Sequence, residues 1–132
     1  MHIDHIGIAV ADLEAAIKTY ETVLNTTCSK REVVESEKVE TAFFQTGESK
    51  VELLGATTDD SVIAKYVAKK GQGLHHIAFE VDDIFAELDR LRTEGFTILN
   101  EQPKNGADNK LVAFVHPKNN AGVLVELCQS KK

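Results

Sequence analysis

The sequence contains an internal repeat, and this duplication restricts the available folds more than any other feature. The segment His5–Leu13 aligns with His76–Ile84 at an offset of 71 residues. Two further pairs of segments match in the same order: Ala42–Gln45 with Ala113–His116, and Val51–Leu54 with Val125–Cys128. Because a duplicated chain folds as copies of one supersecondary unit, each half is expected to repeat one arrangement of helices and strands.

Each half has the pattern of one strand, one amphipathic helix and three further strands. Asp12 and Asp83 are the expected helix N-caps, and Gly95 is expected to end the second helix. A connecting helix is expected over about 61–70. The remaining strands are expected over about 28–34, 38–46 and 50–55 in the first half, and about 96–101, 110–116 and 122–129 in the second. We therefore predict an α+β fold, a single domain over 1–132 made of two tandem βαβββ modules at about 1–58 and 72–132.

Charge and composition argue against several classes of function. The chain has 15 Lys and Arg against 21 Asp and Glu, a formal net charge of −6, which disfavours nucleic acid as a partner. No apolar run is long enough to span a bilayer, and no basic leader precedes the first strand, so we expect a cytoplasmic protein with no membrane partner. Cys28 and Cys128 lie far apart in sequence, which argues against a disulfide framework.

Two histidines and two glutamates recur at equivalent positions of the repeat. His5 matches His76, and Glu52 matches Glu126. Each glutamate interrupts an apolar strand, where an unpaired carboxylate would be costly to bury. Since residues i and i+2 share one face of a strand, His75 must point away from the face that carries His76. A lone strand histidine is more often structural than a ligand, but its recurrence with a glutamate in both halves predicts a divalent metal site.

The expected ligand set therefore comprises two imidazoles and two carboxylates: His5, Glu52, His76 and Glu126. Such a shell suits cobalt, nickel, zinc or manganese and suits calcium poorly.

Glu40 has no acidic counterpart in the second half, where the equivalent residue is Leu111. It shares a strand face with Ala42 and Phe44. Two interpretations are open: Glu40 is an acid/base residue, or it is the solvated end of an edge strand.

Three phrases of the sequence resemble the methylmalonyl-CoA epimerases. They are Asp4–Val10, Gly73–Ile84 with its doubled histidine, and the ending His116-Pro117-Lys118 through Gly122–Leu127. The resemblance covers nearly the whole chain and implies paired βαβββ modules that form a cup around a divalent metal, often cobalt. It also implies that His5, Glu52, His76 and Glu126 occupy the positions of the metal ligands, and that Glu40 is similar to a proposed second base. In the loop 105–110, where many epimerases have a histidine after Gly-Ala, this chain has Asp108.

The implied activity is that of an isomerase, which moves the proton between a thioester carbonyl and a carboxylate through a metal-stabilised enolate. Glu126 is the expected base on one side of the carbon and Glu40 the candidate on the other. The expected partner is a small CoA thioester, and a homodimer is expected because pairing of such modules often continues between chains. Two alternatives remain: glyoxalase I, which acts on a glutathione hemithioacetal, and a non-catalytic small-molecule-binding protein of the same fold.

Overall fold

The structure is a computed structural model that describes residues 1–131. The chain divides into two compact units. The first unit is Ile6–His75, and the second unit consists of Met1–His5 together with the chain from His76 onward. The chain therefore passes from one unit to the other within the first strand of each module, between residues 5 and 6 and between residues 75 and 76. The second of these positions lies about three residues after the module boundary expected near residue 72.

The first unit follows the expected order of elements. Strand β1 spans His2–Val10, and helix α1 spans Leu13–Leu24. The next strands are β2 (Lys30–Val34), β3 (Val39–Thr46) and β4 (Ser49–Ala56), followed by helix α2 (Val62–Lys70). The strands are arranged in the order β2-β3-β4-β1, with antiparallel pairing of β2 to β3 and of β3 to β4.

The second unit repeats this arrangement. Its elements are β5 (Gly73–Glu80), α3 (Ile84–Thr93), β6 (Lys104–Gly106), β7 (Lys110–Val115) and β8 (Val125–Ser130). The strand order is β5-β8-β7-β6, so the first strand of the module again lies beside the last. Pairing is parallel between β5 and β8 and antiparallel between β8 and β7 and between β7 and β6.

Helix boundaries follow the signals in the sequence. The Asp12 carboxylate accepts a hydrogen bond from the backbone of Ala15, and Asp83 does the same for Ala86, so both predicted N-caps are confirmed. Ser61 caps the connecting helix in the same way, with its hydroxyl accepting from Ile63. Gly95 follows the end of α3 with a φ of 90°, a backbone conformation that glycine adopts without strain.

The two hydrophobic cores are built from residues that the repeat makes equivalent. Five buried residues of each core match across the duplication. The first core contains Val10, Ile17, Ala42, Phe44 and Leu53, and the second contains their equivalents Val81, Leu88, Ala113, Val115 and Leu127 together with Ile84. The duplication predicted from the sequence is therefore confirmed in the packing of both units.

Two predicted strands are wrong in their bounds. Residues 96–101 form only an isolated bridge, between Ile98 and Val115, and the regular strand lies later, at Lys104–Gly106. The Asn100 side chain accepts the hydrogen bond from the backbone N–H of Phe114, a place that a backbone carbonyl would take in a regular ladder. The last strand begins at Val125 rather than 122, because hydrogen bonds keep Gly122 and Val123 in the preceding turn.

Within residues 1–131 the helices are too short or too polar for any of them to cross a bilayer.

The packing of α3 predicts unequal effects of two truncations on the same helix. Leu88 is 1% exposed, whereas Phe85 is 51% exposed. Replacing Leu88 with alanine should lower the free energy of unfolding by about 2–5 kcal/mol, because it removes buried methyl groups and leaves a cavity. Phe85→Ala is the matched control and should change that free energy by roughly 0.5 kcal/mol or less. Urea denaturation followed by circular dichroism measures both, and equal losses would contradict this packing.

Candidate metal centre

Three buried side chains of the second unit bring their donor atoms together. They are His5 from β1, His76 from β5 and Glu126 from β8, each 5% exposed. The Nε2 atoms of the two histidines lie 3.0 Å apart. The Oε1 atom of Glu126 lies 3.2 Å from Nε2 of His76 and 3.7 Å from Nε2 of His5. These are three of the four residues that the sequence predicted as metal ligands.

Strand register explains why these groups share a face. Ala78 of β5 is opposite Glu126 of β8, and Glu126 is opposite Phe114 of β7. His76 lies two residues before Ala78, so its imidazole projects on the same side. The small Ala78 side chain leaves space beside the carboxylate, and the Phe114 ring makes an edge contact with His76 at 5.8 Å between centroids. The donor cluster therefore has the aromatic ring of Phe114 beside it.

The spacing of the donor atoms fits a divalent transition metal. Donor atoms that each lie about 2.1 Å from one ion are about 3.0 Å apart at a right angle and about 3.4 Å apart at a tetrahedral angle. The three observed separations, 3.0, 3.2 and 3.7 Å, bracket these values. His5 and His76 are thus placed to hold an ion through Nε2, and Glu126 through a carboxylate oxygen.

Glu126 is held in its ionised form. Burial by itself raises the pKa of a carboxyl group, but the hydrogen bonds and positive charge of His5 and His76 outweigh it and lower the pKa of Glu126 to about 2. The carboxylate is therefore negatively charged at neutral pH, as a metal ligand or a proton acceptor must be.

A second polar cluster, which the sequence did not predict, lies behind His5. The Nδ1 atom of His5 lies 2.8 Å from Oδ2 of Asp4. The Lys110 ammonium donates to Oδ1 of Asp4 at 3.1 Å, to Oε1 of Glu80 at 2.5 Å and to the Ser130 hydroxyl at 3.2 Å. Burial by itself lowers the pKa of Lys110, but the hydrogen bonds to Glu80 and Asp4 raise it above its ordinary range. The signal in the sequence was a single lysine before the apolar run Leu111–Val115.

The acidic groups of this region have two kinds of partner. The Lys110 ammonium pairs with the carboxylates of Asp4 and Glu80, whereas Glu126 lies beside the imidazoles of His5 and His76. A buried carboxylate needs compensating charge or hydrogen bonds, because uncompensated charge is costly there. A divalent cation beside Glu126 would supply such compensation.

Glu52 and His75 belong to the first unit. Glu52 is 4% exposed on β4, opposite Phe43 of β3. The His75 ring contacts the Tyr66 ring of α2 at 4.7 Å between centroids. The adjacent histidines therefore have different surroundings, because His75 packs against a helix and His76 joins the cluster around Glu126.

Glu40 lies on the helix-facing side of its strand. It alternates with Ala42 and Phe44, which pack in the core beneath α1, whereas Glu52 is opposite Phe43 on the other face. Its carboxylate accepts a hydrogen bond from Nε of Arg31 at 2.8 Å, and the same guanidinium is paired with Glu14 of α1. β3 lies between β2 and β4, so Glu40 is not on an edge strand. This arrangement gives Glu40 a role in an ion-pair cluster.

Relatives with known activities cover nearly the whole chain. The family profile described as the Glyoxalase/Bleomycin resistance protein/Dioxygenase superfamily matches residues 4–114. The mitochondrial methylmalonyl-CoA epimerase of Homo sapiens is 40% identical over 97% of this chain and 73% of that protein. The ethylmalonyl-CoA/methylmalonyl-CoA epimerase of Cereibacter sphaeroides is 40% identical over 96% of both proteins. A probable lactoylglutathione lyase of Vibrio cholerae is a more distant relative, at 28% identity over 97% of this chain and 90% of its own length.

A solved structure supports the same relationship. A variant of the methylmalonyl-CoA epimerase of Streptomyces coelicolor, in complex with 2-nitronate-propionyl-CoA, superposes with a TM-score of 0.93 at 37% identity, over 98% of this chain and 94% of that one. The α+β fold predicted from the repeat is confirmed by this match. The chain therefore belongs to the glyoxalase/bleomycin resistance protein/dioxygenase superfamily and, within it, to the methylmalonyl-CoA epimerases.

Proposed function

We propose that this chain is an isomerase that epimerises methylmalonyl-CoA with the help of a divalent metal ion. The observation that carries the proposal is the convergence of His5, His76 and Glu126, all buried, in a chain of this family. The buried, ionised carboxylate of Glu126 supports a bound cation at the same place.

The ligand set proposed from the repeat has four members. His5, His76 and Glu126 contribute the donor atoms described above. Glu52 is proposed as the fourth ligand, because it is the repeat equivalent of Glu126 and is a buried carboxylate. We propose cobalt as the metal, with nickel, zinc and manganese as alternatives that the same nitrogen and oxygen donors accept.

The reaction requires removal of an acidic proton from a carbon between two carbonyl groups. A bound divalent ion supplies Lewis-acid stabilisation of the negative charge that develops on the substrate oxygens. Glu126 is ionised and close to both histidines, so it is the group proposed to accept the proton. The Phe114 ring beside His76 limits water on that side, which strengthens electrostatic interactions in the pocket.

Inversion needs a second proton-bearing group on the opposite face of the carbon. Glu40 was the candidate for that role, but its carboxylate is paired with Arg31 on the helix-facing side of β3. The proposed mechanism therefore assigns proton removal to Glu126 and return of a proton on the opposite face to solvent water, and it treats Glu40 as part of the Arg31 ion-pair cluster.

Substrate binding and assembly complete the proposal. The lysines of α2, Lys65, Lys69 and Lys70, are proposed to contact the phosphates of coenzyme A. We also propose a cytoplasmic homodimer, because modules of this kind often pair between chains.

The ligand cluster predicts the metal content of the purified protein. We expect about one divalent ion per chain, measured by elemental mass spectrometry. The ion should be lost in His5→Ala and in His76→Ala, because each change removes a donor nitrogen. His75→Ala is the matched control and should keep its metal, since that ring packs on Tyr66. Full metal occupancy in both ligand variants would refute the site.

The proposed activity predicts a metal-dependent epimerisation of methylmalonyl-CoA. Turnover should disappear after treatment with a chelator and return on addition of cobalt or nickel, because the developing negative charge then has its cation again. The same preparation should also be assayed with the glutathione hemithioacetal as substrate. Turnover of the hemithioacetal without turnover of the CoA thioester would replace the epimerase assignment with glyoxalase I.

The positions of Glu40 and Glu126 predict different effects of the same substitution. Glu40→Gln should retain its metal and near-normal turnover, because its carboxylate bonds to Arg31. Glu126→Gln should lose metal affinity and at least about 10²-fold in turnover, the scale of a general acid/base contribution. The turnover of both variants is measured by the incorporation of solvent deuterium at the α-carbon, and their metal content by elemental mass spectrometry. A comparable loss in Glu40→Gln with intact metal would instead establish Glu40 as a second base.

A further inference from the structure

The His5 imidazole has one nitrogen directed at each of two polar clusters. Nε2 faces His76 and Glu126, whereas Nδ1 lies 2.8 Å from the carboxylate of Asp4. A carboxylate accepts hydrogen bonds and does not donate them, so the Asp4 carboxylate at 2.8 Å places the proton of neutral His5 on Nδ1, while Glu126 is farther from Nε2, at 3.7 Å, and Nε2–H of His76 can donate to Nε2 at 3.0 Å. That leaves the lone pair on Nε2, which is the atom a metal needs.

We propose that Asp4 is a positioning residue that fixes the tautomer of His5, that Lys110 orients the Asp4 side chain, and that the pair thereby sets the affinity of the metal site. This inference rests on the proposed function, because it concerns how one proposed ligand is prepared. Lys110 acts on Asp4 through its hydrogen bond to Oδ1, and Asp4 acts on His5 through Oδ2, so the effect passes along one chain of contacts.

Lys110 is suited to this role because of its own surroundings. Its ammonium lies among acidic groups, with Oε1 of Glu80 and Oδ1 of Asp4 both within hydrogen-bond distance. Donor atoms of Asp4, Glu80 and Cys128 lie within 4.8 Å of one another, an arrangement that attracts a cation. The lysine supplies that cation from within the chain, and it requires an acceptor atom on the side of Asp4 that faces it.

This requirement makes Asp4→Asn an informative change. An asparagine side chain presents one acceptor oxygen and one donor NH₂ group. With Lys110 present, the amide oxygen must face the ammonium, which turns the NH₂ group towards Nδ1 of His5. Nδ1 then has to accept, so the proton of His5 moves to Nε2 and blocks the metal-binding lone pair.

Removal of Lys110 should reverse that effect. In the double variant Asp4→Asn/Lys110→Met the ammonium is absent, and the amide can turn so that its oxygen accepts from Nδ1 of His5. Its NH₂ group then faces the carboxylate of Glu80, whose nearest oxygen lies within 4.8 Å of the Asp4 oxygen in the native protein. The second substitution should therefore repair part of the damage done by the first.

Two measurements on four proteins test the inference. The first is the His5 tautomer in the metal-free full chain, read from two-bond ¹⁵N–¹H correlation spectra of protein labelled with ¹⁵N-histidine and assigned with His5→Ala. The second is cobalt affinity by competition titration. We expect the Nδ1-protonated tautomer in the wild type, in Lys110→Met and in the double variant, and the Nε2-protonated tautomer in Asp4→Asn. Cobalt affinity should fall about 100-fold in Asp4→Asn and recover about 10-fold in the double variant, the range seen when such supporting partners are lost.

The controls separate positioning from folding. Lys131→Met removes a lysine whose ammonium bonds to Asn105 near the same strand end, and it should leave the His5 tautomer and the cobalt affinity unchanged. Circular dichroism establishes that each variant is folded. An unchanged tautomer in Asp4→Asn overturns the inference, and so does a double variant that binds cobalt no better than Asp4→Asn. If neither the wild type nor any variant binds cobalt, the proposed function fails. The His5 tautomers measured in the four proteins still decide the role of Asp4 and Lys110.

Discussion

Buried negative charge is the physical constraint on which the arrangement of the second unit depends. Asp4, Glu80 and Glu126 project from three neighbouring strands, and each needs a cation or a donor, because an isolated buried carboxylate is strongly unfavourable. Lys110 serves two of the three. Glu126 lies beside the two imidazoles, whose hydrogen bonds and positive charge lower its pKa. A divalent ion held by the proposed ligands would couple metal affinity to the stability of this unit.

The hydrogen-bonded network around Lys110 is found in one of the two repeated halves among the described residues, because the residues equivalent to Glu80 and Lys110 in the other half are apolar. The repeat equivalents of Glu80 and Lys110 are Ala9 and Val39, and the equivalent of Cys128 is Leu54. In the first unit these three residues form an apolar cluster that covers Ile63 of α2. The second half has no corresponding helix after its last strand within residues 1–131. The same backbone positions thus support a helix in one copy and a charged network in the other.

The sequence was sufficient to predict the features that are present twice. The helix caps at Asp12 and Asp83 and the two equivalent cores depend on local hydrogen bonding and on hydrophobic periodicity, which a repeat makes visible. The same reasoning brought together His5, His76 and Glu126. Glu52 remains a prediction, because its assignment as a ligand depends on the equivalence alone.

Features that depend on contacts between distant positions were not predictable in this way. Asp4 and Lys110 are 106 residues apart, and their counterparts in the other half, His75 and Val39, do not repeat this pair of charges. The interruption of the strand predicted over 96–101 depends on a side chain, Asn100, taking the place of the backbone in a hydrogen bond. Side-chain alternation correctly grouped Glu40 with Ala42 and Phe44, but only the structure shows Arg31 beside it.

The supports of the metal ligands are unequal, and this inequality bears on which ligand can take part in proton transfer. His5 is fixed from behind by Asp4, which is itself fixed by Lys110, so its imidazole is held in both orientation and protonation state. Glu126 contacts the two histidines through Oε1, on the side where the ion is expected. A carboxylate that contacts the other proposed ligands can change its coordination more easily than a histidine that is held by a separate ion pair. Among the proposed ligands, Glu126 is therefore the one we expect to release the ion and accept a proton, whereas His5 is the one held by a separate ion pair.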